Sequence, residues 1–135
     1  MTVDDADDLR ALVRTVLESN GFDVIEAVSG RAALQELTAG TRPDVIVLDV
    51  QMPDLDGWDT LTAIRAEPDT ADLAVILCTV RAAQADIDHG WQLGCDGFLP
   101  KPFAIDELAR TVKEVSARTN EERAALRAEH QAATT

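Results

Sequence analysis

The chain has 135 residues, 46% of them apolar, enough for one domain with its own core and too apolar for a disordered segment. Its 25 acidic and 12 basic side chains leave a net charge of −13, which repels a phosphate backbone and sets aside direct nucleic-acid binding. No apolar run approaches the ~20 residues of a bilayer span, and the acidic start Met1-Thr2-Val3-Asp4-Asp5 lacks the plan of a signal peptide, so a cytoplasmic protein with no membrane partner is expected.

Met1 to Val3 is a short first strand that runs into Asp4-Asp5; either this strand is short or residues precede it. From Asp8 to Asn20, the apolar residues Leu9, Leu12, Val13, Val16 and Leu17 recur at helical spacing, and Asn20-Gly21 closes the segment. Phe22 to Ala27 reads as a second strand. Ser29-Gly30 opens a helix carried by Ala33, Leu34 and Leu37 and ended at Gly40. Val45 to Asp49 is the third strand and the stretch around which the rest is organised. A short apolar run with this many β-branched residues reads as a strand buried on both faces, and it delivers the carboxylate of Asp49 to its C-terminal end. Pro53 and Gly57 mark the loop that follows.

Trp58 to Ala66 makes the next helix, with Leu61 and Ile64 inward. Ala74 to Cys78 is a strand that ends in Thr79. Ala82 to Leu93 is a weak helix interrupted by Gly90. Gly97 to Pro100 is a fifth strand, followed by Lys101-Pro102-Phe103, and Ile105 to about Arg118 is the last packed helix, with Leu108, Val112 and Val115 on one stripe. Cys78 and Cys95 have no metal or disulfide spacing and read as buried thiols. Five strand–helix units imply parallel crossovers with helices on both faces: an α/β, three-layer, doubly wound sheet of order 2-1-3-4-5 like flavodoxin.

The division expected is a domain over residues 1–118 and a polar, helix-prone tail over 119–135. Extending the last stripe gives Thr119, Glu122, Leu126 and Glu129. The apolar face dies out, so tertiary packing is not expected to hold the tail. It reads as a frayed extension of the last helix, or as a helix that orders on a partner or across a dimer. Trp58 reads as core. Trp91 is either buried against the sheet or an exposed anchor for a partner. His89 is expected to be exposed, and His130 carries no assignment.

In a parallel sheet the strand ends bring Asp4, Asp5, Asp49, Thr79 and Lys101 to one edge. Three converging carboxylates repel each other, and a Mg²⁺ ion, which takes oxygen ligands, relieves that. Lys101 adds a positive charge and Thr79 a hydroxyl donor. This set suits stabilisation of a transferring phosphoryl group, with a carboxylate as the nucleophile.

Asp4-Asp5, Leu48-Asp49-Val50-Gln51-Met52-Pro53 with Asp56-Gly57, Thr79 and Lys101-Pro102-Phe103 together resemble the receiver domain of two-component response regulators, over residues 1 to about 118. The resemblance implies that Asp49 takes a phosphoryl group from a phosphohistidine of a sensor kinase or phosphotransfer protein. It implies that Asp5 and Asp49 ligate Mg²⁺ directly, Asp4 through water and Gln51 by its backbone carbonyl. Lys101 would contact the phosphoryl group, Thr79 would swing toward it, Phe98 would follow as the switch aromatic, and the Lys101-Pro102 bond would be cis. Output would pass to a protein the sequence does not name, and residues 82–118 form a candidate homodimer face. Such a domain is a switch that can autodephosphorylate, rather than a dedicated enzyme.

Three departures from the family pattern bear on this. The first strand is short. Val80 stands where a small residue is usual. Gln51 and Arg81 occupy the two positions that tune phosphoryl lifetime. The alternatives are a receiver-like module that signals without phosphorylation, and the receiver part of a longer regulator. A phosphatase of the haloacid dehalogenase type would need a second Asp where Gln51 stands, and a flavin binder would need Ser, Thr and Gly after the first strand.

Overall fold

The computed structural model describes residues 1–133. Five strands, β1 (Thr2–Val3), β2 (Glu26–Ala27), β3 (Val45–Asp49), β4 (Ala74–Thr79) and β5 (Gly97–Pro100), alternate with α1 (Asp7–Ser19), α2 (Gly30–Thr38), α3 (Gly57–Ala66), α4 (Gln84–Leu93) and α5 (Ile105–Ala117). A further helix, α6 (Asn120–Ala133), follows. The strands form one parallel sheet in the order β2-β1-β3-β4-β5. This is the doubly wound, flavodoxin-like arrangement that the strand–helix alternation predicts.

Every residue of β3 and β4 is buried, because helices cover both faces. On one face Ile46, Leu48, Val75 and Leu77 pack with Ala33 and Leu37 of α2, Leu61 and Ile64 of α3, and Trp91 of α4. On the other Val45, Val47, Ile76, Cys78 and Leu99 pack with Val13, Val16 and Leu17 of α1 and with Leu108, Val112 and Val115 of α5. Successive residues of β3 thus alternate between the two cores, as the period-2 geometry of a strand requires. Each fully buried Leu or Ile there contributes ~1.5–3 kcal/mol relative to exposure.

Several expectations need correction. The second strand does not run from Phe22; only Glu26–Ala27 pair, extended by one bond from Thr2 N–H to Ile25 O (2.8 Å). Among the described residues β2 is the edge strand beside β1, paired Thr2 with Glu26 and Val3 with Ala27. Leu12, on the expected apolar stripe of α1, is 41% exposed. Gly90 does not interrupt α4 but is buried within it, against the side chains of Leu77 and Phe98.

Up to residue 133 the tail is neither frayed nor continuous with α5; its last two residues lie outside the described residues. Arg118 turns to an extended conformation (φ −81°, ψ 144°) and ends α5. A new helix then starts with a capping box: Glu122 N–H donates to Thr119 Oγ1 (3.1 Å), and Thr119 N–H donates to Glu122 Oε1 (3.0 Å). The Thr119-x-x-Glu122 spacing was the signal for it. α6 folds back onto α4, held by polar contacts and a ring stack, which an apolar-stripe reading does not register.

Candidate functional site

The sheet register assembles the site. Val3 pairs with Leu48, so the next residues, Asp4 and Asp49, emerge side by side from the two central strands. Asp49 pairs with Cys78, and Thr79 pairs with Pro100, which places Thr79 and Lys101 at successive positions along the same edge. Lys101 N–H donates to Thr79 O (2.9 Å), tying the two strand ends together. The Lys101–Pro102 peptide is cis.

Lys101 Nζ sits 3.0 Å from Asp4 Oδ2 and 3.3 Å from Asp49 Oδ1. Asp4 Oδ1 accepts from Ala6 N–H (2.9 Å), and Asp49 Oδ1 receives a longer contact from Gln51 N–H (3.4 Å). Asp49 Oδ2 lies outside both of those contacts. Asp4 and Asp49 are buried and Asp5 is exposed, yet one carboxylate oxygen of each lies within 4.8 Å of the others. Such an all-oxygen, partly open cluster fits a hard divalent cation that keeps several waters.

The electrostatics follow from burial. Desolvation raises the Asp49 carboxyl above its ordinary value; Lys101 opposes this and Asp4 reinforces it. Burial acts to lower the Lys101 ammonium, but the hydrogen bond to Asp4 and the charges of Asp49 and Asp4 outweigh it, so its pKa is raised. Behind the site, burial pushes the Cys78 thiol up to about 12.

The loop after Asp49 is fixed by contact. A Cβ on Gly57 would lie 2.4 Å from Asp49 O and 2.6 Å from Val50 Cα, so only glycine fits. Gly57 N–H donates to Val50 O (2.9 Å), and Asp56 caps α3 through Asp59 N–H (2.9 Å). Asp54 adopts a positive φ of 68° and pairs with Arg31.

Thr79 is fully buried, and its Oγ1 accepts from Arg81 N–H (3.1 Å). The Arg81 guanidinium pairs with Asp86 on the first turn of α4 (3.3 Å), and the Gln51 side chain is exposed. Val80 is 62% exposed. Phe98 is half-buried, with its ring beneath α4 at Gly90. The structure therefore gathers Asp4, Asp5, Asp49 and Lys101 into one cluster. Thr79 adjoins it through the Lys101 bond, and Phe98 lies farther off under α4.

A family model described as response regulator receiver domain matches residues 1–113. The chain belongs to that family. The receiver domain is a phosphorylation-dependent switch of two-component signalling. The chain is 40% identical over 119 residues to "Response regulator MprA" of Mycolicibacterium vanbaalenii, covering 88% of this chain and 50% of that protein. It is 41% identical over 113 residues to "Transcriptional regulatory protein PrrA" of Mycobacterium leprae, covering 84% of this chain and 47% of that protein. This receiver chain thus spans about half the length of the curated relatives it matches. A solved structure of a putative response regulator from Chloroflexus aurantiacus superimposes with a TM-score of 0.81 at 32% identity, covering 87% of this chain and 95% of that one. No helix among the described residues is long and apolar enough to cross a membrane.

One group escaped the sequence reading. Asp96, 3% exposed, accepts from Val75 N–H (2.9 Å) and Arg65 Nη2 (2.9 Å), and Arg127 of α6 reaches its other oxygen. Arg65 also donates to Gly94 O (2.9 Å) and Leu73 O (2.7 Å). Nothing in the spacing of Arg65, Asp96 and Arg127 announces this cluster; only the fold brings them together.

Proposed function

We propose that Asp49 is the phospho-acceptor of this receiver and that a sensor kinase or phosphotransfer protein supplies the phosphoryl group from a phosphohistidine. The observation that carries the reading is Lys101 Nζ set between Asp4 and Asp49, bound to Asp49 Oδ1 and leaving Oδ2 outside that contact. Oδ2 attacks phosphorus as the P–N bond breaks, and the bonding pair stays on the imidazole nitrogen. Lys101 then neutralises one phosphoryl oxygen. Asp4, Asp5 and Asp49, with the Gln51 carbonyl, would hold Mg²⁺, which supplies further charge neutralisation when bound. Thr79 gives up its bond from Arg81 N–H to reach the phosphoryl group, and Phe98 follows. Gln51 and Arg81 set how long the acyl phosphate lasts; release of the Thr79 hydroxyl disturbs the loop that carries Arg81.

Residues 1–118 form the receiver unit in this reading, with the segment from 119 appended, and the output domain or protein is a separate element. A homodimer through residues 82–118 would use α5 and the first turns of α4, since α6 lies on the rest of α4. The module that signals without phosphate is the weaker reading, because the acid cluster and Lys101 are intact.

Acetyl phosphate with Mg²⁺ tests this. Intact mass should rise by one phosphate in the wild type and not in Asp49→Asn. A variant that still takes phosphate would assign the acceptor elsewhere.

A further inference from the structure

α6 is seated on the residues that flank the α4–β5 contact. His130 stacks on Trp91 (ring centroids 3.7 Å apart, planes 9° apart), and Trp91 is only 8% exposed. Gln131 Nε2 donates to Trp91 O (3.0 Å), and Gln92 Nε2 donates to Gln131 O (3.2 Å). Arg127 pairs with Asp96, and Arg123, 8% exposed, donates to Asp72 O (3.1 Å). Arg127 and His130 are three residues apart, so they share one face of the helix.

We propose that the C-terminal half of α4 and the Asp96 loop form a helix-docking surface that α6 occupies in cis, and that phosphorylation of Asp49 loosens α6 from it. The coupling rests on the function proposed above. Its physical basis is position. Trp91 rides on α4 and directly follows Gly90, whose Cα side abuts the Phe98 ring and Leu77. Asp96 lies on the loop entering β5, two residues before Phe98. α6 bridges the two seats, so it fits one relative arrangement of α4 and β5. When Phe98 leaves its place under Gly90, α4 loses support next to Trp91, and the distance that Arg127 and His130 span together changes.

The grip is of a kind that can be released. Leu126 is half-buried while Ala124, Ala125 and Ala128 are exposed, so α6 buries little apolar surface. Segments with few buried apolar contacts open at the low end of a protein's stability range. The surface uncovered would offer a free Asp96 carboxylate oxygen and an indole face, a match for any helix presenting an arginine and a flat ring three residues later.

The test uses the full chain carrying Trp58→Phe, so that Trp91 is the sole fluorescent indole. Acetyl phosphate and Mg²⁺ are added, and intact mass, amide exchange and Trp91 emission are read from the same sample. Once Asp49 carries phosphate, exchange across residues 120–133 should speed up several-fold and Trp91 emission should shift to the red. Neither change should occur in Asp49→Asn. Arg127→Ala and His130→Ala should each produce both changes without phosphate, with exchange in α1 unaltered as the check of folding. Phosphate on Asp49 with no response in α6 would overturn the latch and leave the acceptor reading intact. No phosphate on Asp49 would overturn that reading and the coupling with it. Unaltered exchange in both α6 variants would show that these contacts do not hold the helix.

Discussion

Gly90 and Phe98 meet so closely that α4 has no room for a side chain there. A Cβ on Gly90 would lie 3.2 Å from Phe98 Cδ2 and 2.9 Å from Leu77 Cδ1. Alanine gains ~1 kcal/mol in helix propensity over glycine. Overpacking a filled core costs about 1–3 kcal/mol, and Leu77 is fully buried. Gly90→Ala should therefore lower stability by about 1 kcal/mol in urea unfolding, and its Phe98 should be displaced before any phosphate is added. A variant more stable than wild type would mean that the packing beneath α4 yields freely.

Asp49 should be a source of instability in the unmodified protein. Burial raises the Asp49 carboxyl, so the native state holds that proton more tightly than the unfolded chain does. The associated stability is fully present below the unfolded carboxylate value of ~3.9 and is lost as pH rises through the raised native value. Asp49→Asn carries no such charge. Without divalent metal, its melting temperature should exceed that of the wild type by a margin that grows from pH 4 upward and then levels off. A margin constant with pH would remove Asp49 ionisation as its cause.

The parts of this molecule that read directly from the chain are those whose partners are near in sequence or follow from regular geometry. The continuous apolar run Val45–Leu48 has no stable place except between two helical layers, so β3, and with it Asp49 at its end, was legible. Asp4, Thr79 and Lys101 were legible because parallel strands present their ends on one edge. The helix-prone character of the tail was legible too, but the docking of α6 was not, because it is held by residues 31 to 51 positions away: Arg127 on Asp96, Gln131 on Trp91, Arg123 on Asp72. Those are contacts of the finished fold, and no periodicity encodes them. The length of β2 was misread for a related reason: composition marks Phe22 to Ala27 as strand-like, whereas the pairing that defines the strand, Glu26 with Thr2 and Ala27 with Val3, is a contact of the fold.

Metal binding should be visible as stability. Asp4, Asp5 and Asp49 repel one another only when folding brings them together, so an ion that joins them favours the native state. Ligand at a hundred times its dissociation constant adds about 2.7 kcal/mol. Mg²⁺ at millimolar concentration should raise the melting temperature of the wild type and raise that of Asp5→Asn far less. Equal shifts in the two proteins would place the ion elsewhere.

The buried thiols should be inert. Burial pushes Cys78 and Cys95 each up to about 12, so both stay protonated at pH 8, and the thiolate is the reactive form. Neither should react with a maleimide in the native state on the time scale on which both react in urea. Fast native labelling of Cys78 would report that the β4 end behind Asp49 opens.

Asp96 should matter more to stability than Arg127, which reaches it from α6. Its buried carboxylate accepts from Val75 N–H and pairs with Arg65 and Arg127, whose side chains are each only 15% exposed. Desolvation already holds the Arg65 guanidinium below its ordinary pKa, with Asp96 opposing that shift. Removing one member of a buried ion pair typically costs about 3–5 kcal/mol, because the remaining charge is stranded. Asp96→Ala strands Arg65 and leaves Val75 N–H without its acceptor, so a loss in that range is expected by urea unfolding. Arg127→Ala leaves Asp96 still neutralised by Arg65 and removes only the α6 contact. It should cost the folded core less than about 1 kcal/mol, on the scale of a partly exposed pair. If the two variants were equally destabilised, α6 would be part of the cooperative core rather than a helix docked on it.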